Sequence, residues 1–271
     1  MLVTLKSILS IAMEEKKAIP AFNVYNLETL TGVIEAAEEV KSPVILQIYS
    51  RLFKDGSARL LAPAVLEAAH TASVPVCFHI DHGAGITEVT RAIRMGVSGA
   101  MIDGSAYSFE ENVALTKEAV RLAENIGIEV EGEIGHVGTT AEEISGDYTT
   151  VEEAVKFAEA TGVAALAVQV GTAHGRYKKA PKLAIDRIKE ISEATGLPIV
   201  LHGGSGIPDE EVKAAIKAGI RKVNFGTDVC YSFLDSVFET SREKIAVDVF
   251  MKEPIQSVKR YALGRIALLR G

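Results

Sequence analysis

At 271 residues, with 48% hydrophobic and 24% charged side chains, the chain suits one large α/β domain or two small ones, and disordered or fibrous classes are excluded. Its net charge of −7 argues against a nucleic-acid or anionic-membrane partner, since both need a basic face, but leaves room for a small anionic substrate. No apolar run approaches membrane-spanning length, and the start of the chain is too short in apolar residues for a signal peptide. Cys77 and Cys230 lie in apolar runs, so the expectation is a cytoplasmic protein with two buried, reduced thiols.

In chain order, β-branched runs predict strands at 19–23, 43–48, 74–80, 99–103, 128–134, 164–170, 198–201 and 221–225. Between them, amphipathic periodicity predicts helices over stretches such as 27–40, 112–125, 151–161 and 209–218. The last of these opens on Asp209, Glu210 and Glu211, which the helix dipole favours in a first turn, and stops at Gly219. Eight strands, each followed by a helix and with no polar linker between, predict a single domain over 1–271. Its fold class is α/β: a closed (β/α)8 TIM barrel with an extra C-terminal helical segment. That segment, 231–271, reads as two helical stretches split near Pro254. Its apolar positions Leu263, Ile266, Leu268 and Leu269 need burial, and a homodimer or homotetramer is expected to supply it.

Three of the six histidines, His82, His174 and His202, stand where a hydrophobic strand runs out into a glycine-bearing loop. Any one alone reads as an ordinary surface or core histidine. Together they follow the third, sixth and seventh strands, so a closed barrel brings all three to the rim where such folds keep their chemistry. Three neutral imidazoles with a fourth position open are the usual ligand set of a catalytic zinc.

HIDHG at 79–83, VEGEIG at 130–135, GTAHG at 171–175, HGGSG at 202–206 and NFGT at 224–227 occur in order along nearly the whole chain. In sequence and spacing this set resembles the class II, zinc-dependent ketose-bisphosphate (fructose/tagatose-bisphosphate) aldolases. The resemblance implies that His82, His174 and His202 hold Zn²⁺, replaceable by Co²⁺, and it allows a monovalent cation as well. Asp103 and Glu133 match positions that hold an alternative or second metal, with ordinary carboxylates in a polar mouth as the plainer reading. Asp81 matches the acid/base residue; its plainer reading is a carboxylate that orients a histidine. Gly203, Gly204 and Ser205, facing Asn224, Phe225, Gly226 and Thr227, would form the substrate's phosphate pocket, with Gly175 letting the substrate lie against the His174 loop. A further base sits in the family on a loop after VEGEIG; the register falls on Ala141, so Glu142 is the candidate, with Glu143 beside it.

The resemblance therefore implies a metal-dependent lyase that reversibly cleaves a ketose 1-phosphate or 1,6-bisphosphate to dihydroxyacetone phosphate and an aldehyde. Two alternatives remain: an aldolase working through an imine on Lys222, and a non-catalytic sugar-phosphate sensor. Departures from the family concentrate at one end. Tyr49 replaces a small hydroxyl residue and Arg51 a glycine, Gly226 stands where a side chain is usual, and His136 and Gln169 are uncommon. The triose-phosphate half looks retained and the aldehyde half altered. Arg51 either turns to solvent as the start of a helix or meets an anion of the substrate.

Overall fold

The computed structural model describes residues 1–270 apart from 139–147, 176 and 178. Eight parallel strands close into a barrel in sequence order: β1 Ile19–Asn23, β2 Val44–Tyr49, β3 Val76–Gly83, β4 Gly99–Ile102, β5 Glu129–Ile134, β6 Ala165–Val168, β7 Ile199–Leu201 and β8 Ile220–Phe225. β1 pairs with β8, so the sheet has no free edge. The expected helices are present, several with reciprocal caps: Asn26 with Thr29 before Leu27–Glu39, Ser108 with Glu111 before Phe109–Glu124, and Thr150 with Glu153 before Val151–Thr161. Among the described residues no helix is long and apolar enough to cross a membrane.

Side chains alternate along each strand, so every second residue points into the barrel. At the end where the strands begin, Ile19, Ala21, Ile45, Cys77, Ala165, Ala167 and Val200 form an apolar cluster. The helix Leu5–Glu14, which precedes the first expected strand, plugs this end with Leu5, Ile8, Leu9 and Ala12. Each buried Leu or Ile there is worth roughly 1.5–3 kcal/mol relative to exposure. Continuing inward-facing positions toward the strand ends, the filling turns polar: Gln47, His79, Glu131 and Lys222, then Asn23, Asp81, Glu133, His202 and Asn224, all buried. Backbone pairing holds the set in register, with Gln47 beside His79, Met101 beside Glu131 and Val200 beside Lys222.

Three expectations are corrected. Pro254 does not split the tail: it lies in the first turn of the helix Lys252–Leu269, where a missing N–H breaks no intrahelical bond. The breaks fall at Met251, three residues before Pro254, and earlier, between Thr227–Glu239 and Val247–Phe250. The tail's apolar residues need no second subunit either, because Ile266, Leu268 and Leu269 are buried and Leu263 is partly buried within this chain. The tail helix lies so close to Leu27–Glu39 that a Cβ at Gly32 would sit 2.8 Å from the Ile255 carbonyl oxygen. Finally, Cys77 is buried but Cys230 only partly so.

Candidate active site

β3 delivers two consecutive side chains to the barrel mouth, which a regular strand cannot do. The β3–β4 register shifts between Ile80 and Gly83, and His82 takes φ 50°, a left-handed conformation unusual for any residue but glycine. This bulge turns Asp81 and His82 to the same cavity. The next position admits only glycine, since a Cβ on Gly83 would stand 2.4 Å from the Met101 carbonyl oxygen.

The structure brings His82, His174 and His202 together. His82 Nε2 lies 3.1 Å from His174 Nε2 and 3.0 Å from His202 Nδ1. The far nitrogen of each ring faces a pure acceptor: Asp103 Oδ2 at 2.7 Å from His82 Nδ1, the Val137 carbonyl at 3.0 Å from His174 Nδ1, and Glu131 Oε1 at 2.9 Å from His202 Nε2. With the ring protons on those nitrogens, the three converging nitrogens offer their lone pairs to a shared cation. Facing lone pairs repel unless a cation sits among them. Tetrahedral bonds of about 2.0–2.1 Å would set such nitrogens about 3.3 Å apart, close to the observed spacing. Burial alone would lower the His82 pKa, but Asp81, Asp103 and Glu133 push it up to about 10, so the surroundings demand positive charge at this point. Burial and the neighbouring His82 push His174 down to about 4.

Asp103 Oδ2 and Glu133 Oε2 lie 2.7 and 3.9 Å from His82 Nδ1, and the two carboxylates with His82 form a second possible ligand group. Despite burial, Asp103 is held well below the usual carboxylate range by hydrogen bonds from His82 and Ser105. Glu133 is pushed up by burial and by Asp103. Its Oε1 accepts from the Val137 N–H, while Oε2 is buried without a hydrogen-bond partner, 3.4 Å from His202 Nδ1. An unpaired carboxylate oxygen this close to the three imidazoles fits a divalent cation.

Asp81 is clamped by three side-chain amides. Asn23 donates to Oδ2 at 2.7 Å, and Gln47 and Asn224 donate to Oδ1 at 2.9 and 3.1 Å. Burial works against its ionised form, yet His82, His202 and Lys222 outweigh it and lower the pKa. Orienting the histidines falls to Asp103 and Glu131 instead; Asp81 comes no closer than 3.9 Å to His82 Nε2.

Sequence reasoning missed the partners beneath this layer. Glu131 bridges His202 and Lys222, whose Nζ donates to Oε2 at 2.8 Å, and His79 lies 3.8 Å away. The available signal was the two-residue spacing of Glu131 and Glu133, which puts both on the inner face of β5. Asn23 was missed as well. Lys222 spends its ammonium on Glu131 and does not line the mouth cavity, an arrangement that gives no support to imine chemistry.

That cavity, about 230 Å³, is lined by Asp81, His82 and His174 together with Gly175, Gly203, Ser205, Asn224, Gly226 and Thr227. Gly203 takes φ 64°, and a Cβ there would meet the Ala173 carbonyl oxygen at 2.4 Å. The helix Thr227–Glu239 starts at the cavity wall, where the positive end of the helix dipole favours an anion, and its Asp228 N–H holds the Ser205 hydroxyl at 3.1 Å. Two expected pocket residues serve otherwise. Gly204 donates its N–H to the Asn224 carbonyl at 3.0 Å, and Phe225 is buried and stacked 5.6 Å from Phe22. Glu142 and Glu143 lie outside the described residues. A larger cavity, about 720 Å³, opens beside Lys6, Met13, Glu124 and Pro198 near the strand beginnings, away from the rim where barrel chemistry sits.

The chain matches the class-II fructose-bisphosphate aldolase family over residues 3–270. It is 40% identical over 237 residues to the sulfofructosephosphate aldolase of Alkalicoccus urumqiensis, spanning 86% of this chain and 83% of that one. Identity to the YdjI protein of Escherichia coli K12 is also 40%, over 261 residues, 95% of this chain and 93% of the relative. The crystal structure of the YdjI aldolase superposes with a TM-score of 0.90 at 37% identity, covering 99% of this chain and 97% of that one. A putative fructose-1,6-bisphosphate aldolase from Coccidioides immitis has the same TM-score at 28% identity, over 98% and 95% of the two chains. Matched from end to end in sequence and in backbone, this chain is an aldolase and belongs to the class-II fructose-bisphosphate aldolase family.

Proposed function

We propose that this aldolase is a divalent-metal-dependent lyase, with Zn²⁺ as its ion, cleaving a phosphorylated ketose to dihydroxyacetone phosphate and an aldehyde. The convergence of three imidazole lone pairs, each ring fixed from behind by an acceptor, carries this reading. His82, His174 and His202 hold the ion, with Asp103 and Glu133 as the alternative group. When bound, a divalent cation supplies the positive charge that stabilises the enediolate oxygens.

The remaining work belongs to the chain's own residues. Asp81, ionised and held by three amides, takes the proton from the substrate's C4 hydroxyl in cleavage and returns it in condensation. Asn224 donates to Asp81 while its Oδ1 is buried without a partner, which leaves that atom to accept from a substrate hydroxyl. Gly203, Ser205 and Thr227 enclose the phosphate at the start of Thr227–Glu239. Glu142 is the proposed base at the triose carbon.

The names of the relatives, a sulfofructosephosphate aldolase and a fructose-1,6-bisphosphate aldolase, both describe phosphorylated ketoses and support that substrate class. The test is condensation of dihydroxyacetone phosphate with a panel of aldehydes, in zinc and in excess chelator. Turnover that disappears with chelation, returns with Zn²⁺ and is abolished by His82→Ala, His174→Ala or His202→Ala is expected. Full activity with no bound metal would overturn the assignment.

A further inference from the structure

Gln169 follows β6 directly and is buried, with its side-chain amide filled at all four positions. Its Nε2 donates to the carbonyl oxygens of His136 at 3.0 Å and Thr172 at 3.1 Å, and its Oε1 accepts from the N–H groups of Gly171 at 2.8 Å and Thr172 at 3.2 Å. The β5–β6 ladder ends with Ile134 beside Val168, so this amide carries the tie between the two chain segments beyond the last backbone pair. One of those segments bears His174; the other, 136–138, follows β5. The second holds the first in turn. The Gly138 carbonyl accepts from the His174 backbone N–H at 2.8 Å, and the Val137 carbonyl faces His174 Nδ1 at 3.0 Å.

His136 reaches another of the three imidazoles. Its Nδ1 lies 3.1 Å from Ser105 Oγ, and Ser105 gives its single hydroxyl proton to Asp103 Oδ1 at 2.7 Å. The Ser105 oxygen is therefore left to accept from His136 Nδ1–H. Asp103 turns its other oxygen to His82 Nδ1 at 2.7 Å. Contacts thus run from Gln169 through His136, Ser105 and Asp103 to His82, while Val137, next in the chain, ends on His174. The His136 ring is exposed, so the need for burial does not explain where it stands. Both residues are departures from the family's usual sequence, and both meet at one backbone segment.

From this geometry we infer that His136 and Gln169 are positioning residues. They hold His82 and His174 with their lone pairs converging, and so set the affinity of the centre for a divalent cation. A segment pinned from both sides keeps the acceptors Asp103 and Val137 in fixed places, and each acceptor fixes the direction of its imidazole. The inference rests on the metal-dependent reading above and adds what tunes the hold on the ion.

The test reads Zn²⁺ affinity by competition with a chromogenic chelator, with the thermal midpoint of the metal-free protein measured alongside. His136→Ala should weaken binding about 10-fold, the low end for losing a partner behind a ligating histidine. The midpoint should not move, because the ring is exposed. His136→Asn should recover most of the affinity, since its amide N–H can stand in for Nδ1–H. Gln169→Glu keeps the shape and one acceptor but sets an oxygen against two carbonyls, and should weaken binding about 10- to 100-fold. Because both residues act through 136–138, the double variant should lose much less than the two single losses combined. Where Gln169→Glu fails to fold, Gln169→Met, neutral and of similar length, takes its place. Unchanged affinity in His136→Ala, a loss that His136→Asn does not recover, or fully additive losses would overturn the inference. Should the parent bind no divalent ion, the metal reading fails by itself. The downfield Nδ1–H proton resonances of His82 and His174 in the metal-free protein then decide the brace. Loss of the His82 signal in His136→Ala and of the His174 signal in the Gln169 variant sustains it; signals that neither variant alters, or that the parent lacks, refute it.

Discussion

Two neighbouring residues, Asp81 and His82, have opposite surroundings that separate their roles. His82 is backed by Asp103 and faces other imidazoles, the setting of a ligand; Asp81 is surrounded by amide donors, the setting of a carboxylate kept ionised and aimed. Replacing Asp81 by Asn leaves the imidazole arrangement in place. Asp81→Asn should therefore retain metal, measured by elemental analysis, while cleavage falls by about 10²–10⁴-fold, the usual scale for losing an acid/base group. Loss of metal along with activity would make Asp81 structural.

Among the elements, β5 and β8 share a buried ion pair. Glu131 and Lys222 are fully buried and paired at 2.8 Å, with the neutral His79 packed nearby. Burial pushes the His79 pKa down to about 3. Glu131 is lowered too, because Lys222 and the His202 hydrogen bond outweigh its burial. In the unfolded chain His79 would take up its proton near pH 6.5 and Glu131 near 4.5. For both groups the unfolded state binds more protons as pH falls, so the stability they contribute is complete above about pH 6.5 and is lost as acid is added. Denaturant midpoints should therefore drop between about pH 6.5 and 4. In His79→Leu the upper part of that drop should flatten, leaving the Glu131 part; an identical profile would place the acid sensitivity elsewhere.

For the molecule as a whole, the apolar surface that wants a partner is not where the tail's composition suggested. Phe238, Ile245 and Val247 are 82%, 90% and 67% exposed, at and just beyond the end of Thr227–Glu239, whereas the helix Lys252–Leu269 buries its own apolar face. Large apolar side chains gathered on one exposed stretch mark an interaction surface. Sedimentation velocity should show a homodimer or homotetramer that Phe238→Glu with Ile245→Glu shifts toward monomer. Only monomer in the parent at working concentration would dismiss the association.

Much of this was legible in the sequence, because strand and helix periods are local properties of side chains. The β-branched runs and the 3.6-residue periodicity between them were enough to place eight strands and their order, and hence the three histidines at one rim. Gly175 and Gly203, which take φ above zero, were also readable as loop residues after strands. Contacts made only by closing the barrel were not. His202 meets His82 across 120 positions and Lys222 meets Glu131 across 91. No local period reports which imidazole nitrogen faces inward, or that Glu131 rather than Asp81 orients His202. The bulge that turns Asp81 and His82 together, the Leu5–Glu14 plug and the burial of the tail likewise depend on what each segment packs against. Local sterics thus set the elements and their sequence, while closure of the sheet decided the protonation, pairing and direction of the side chains inside it.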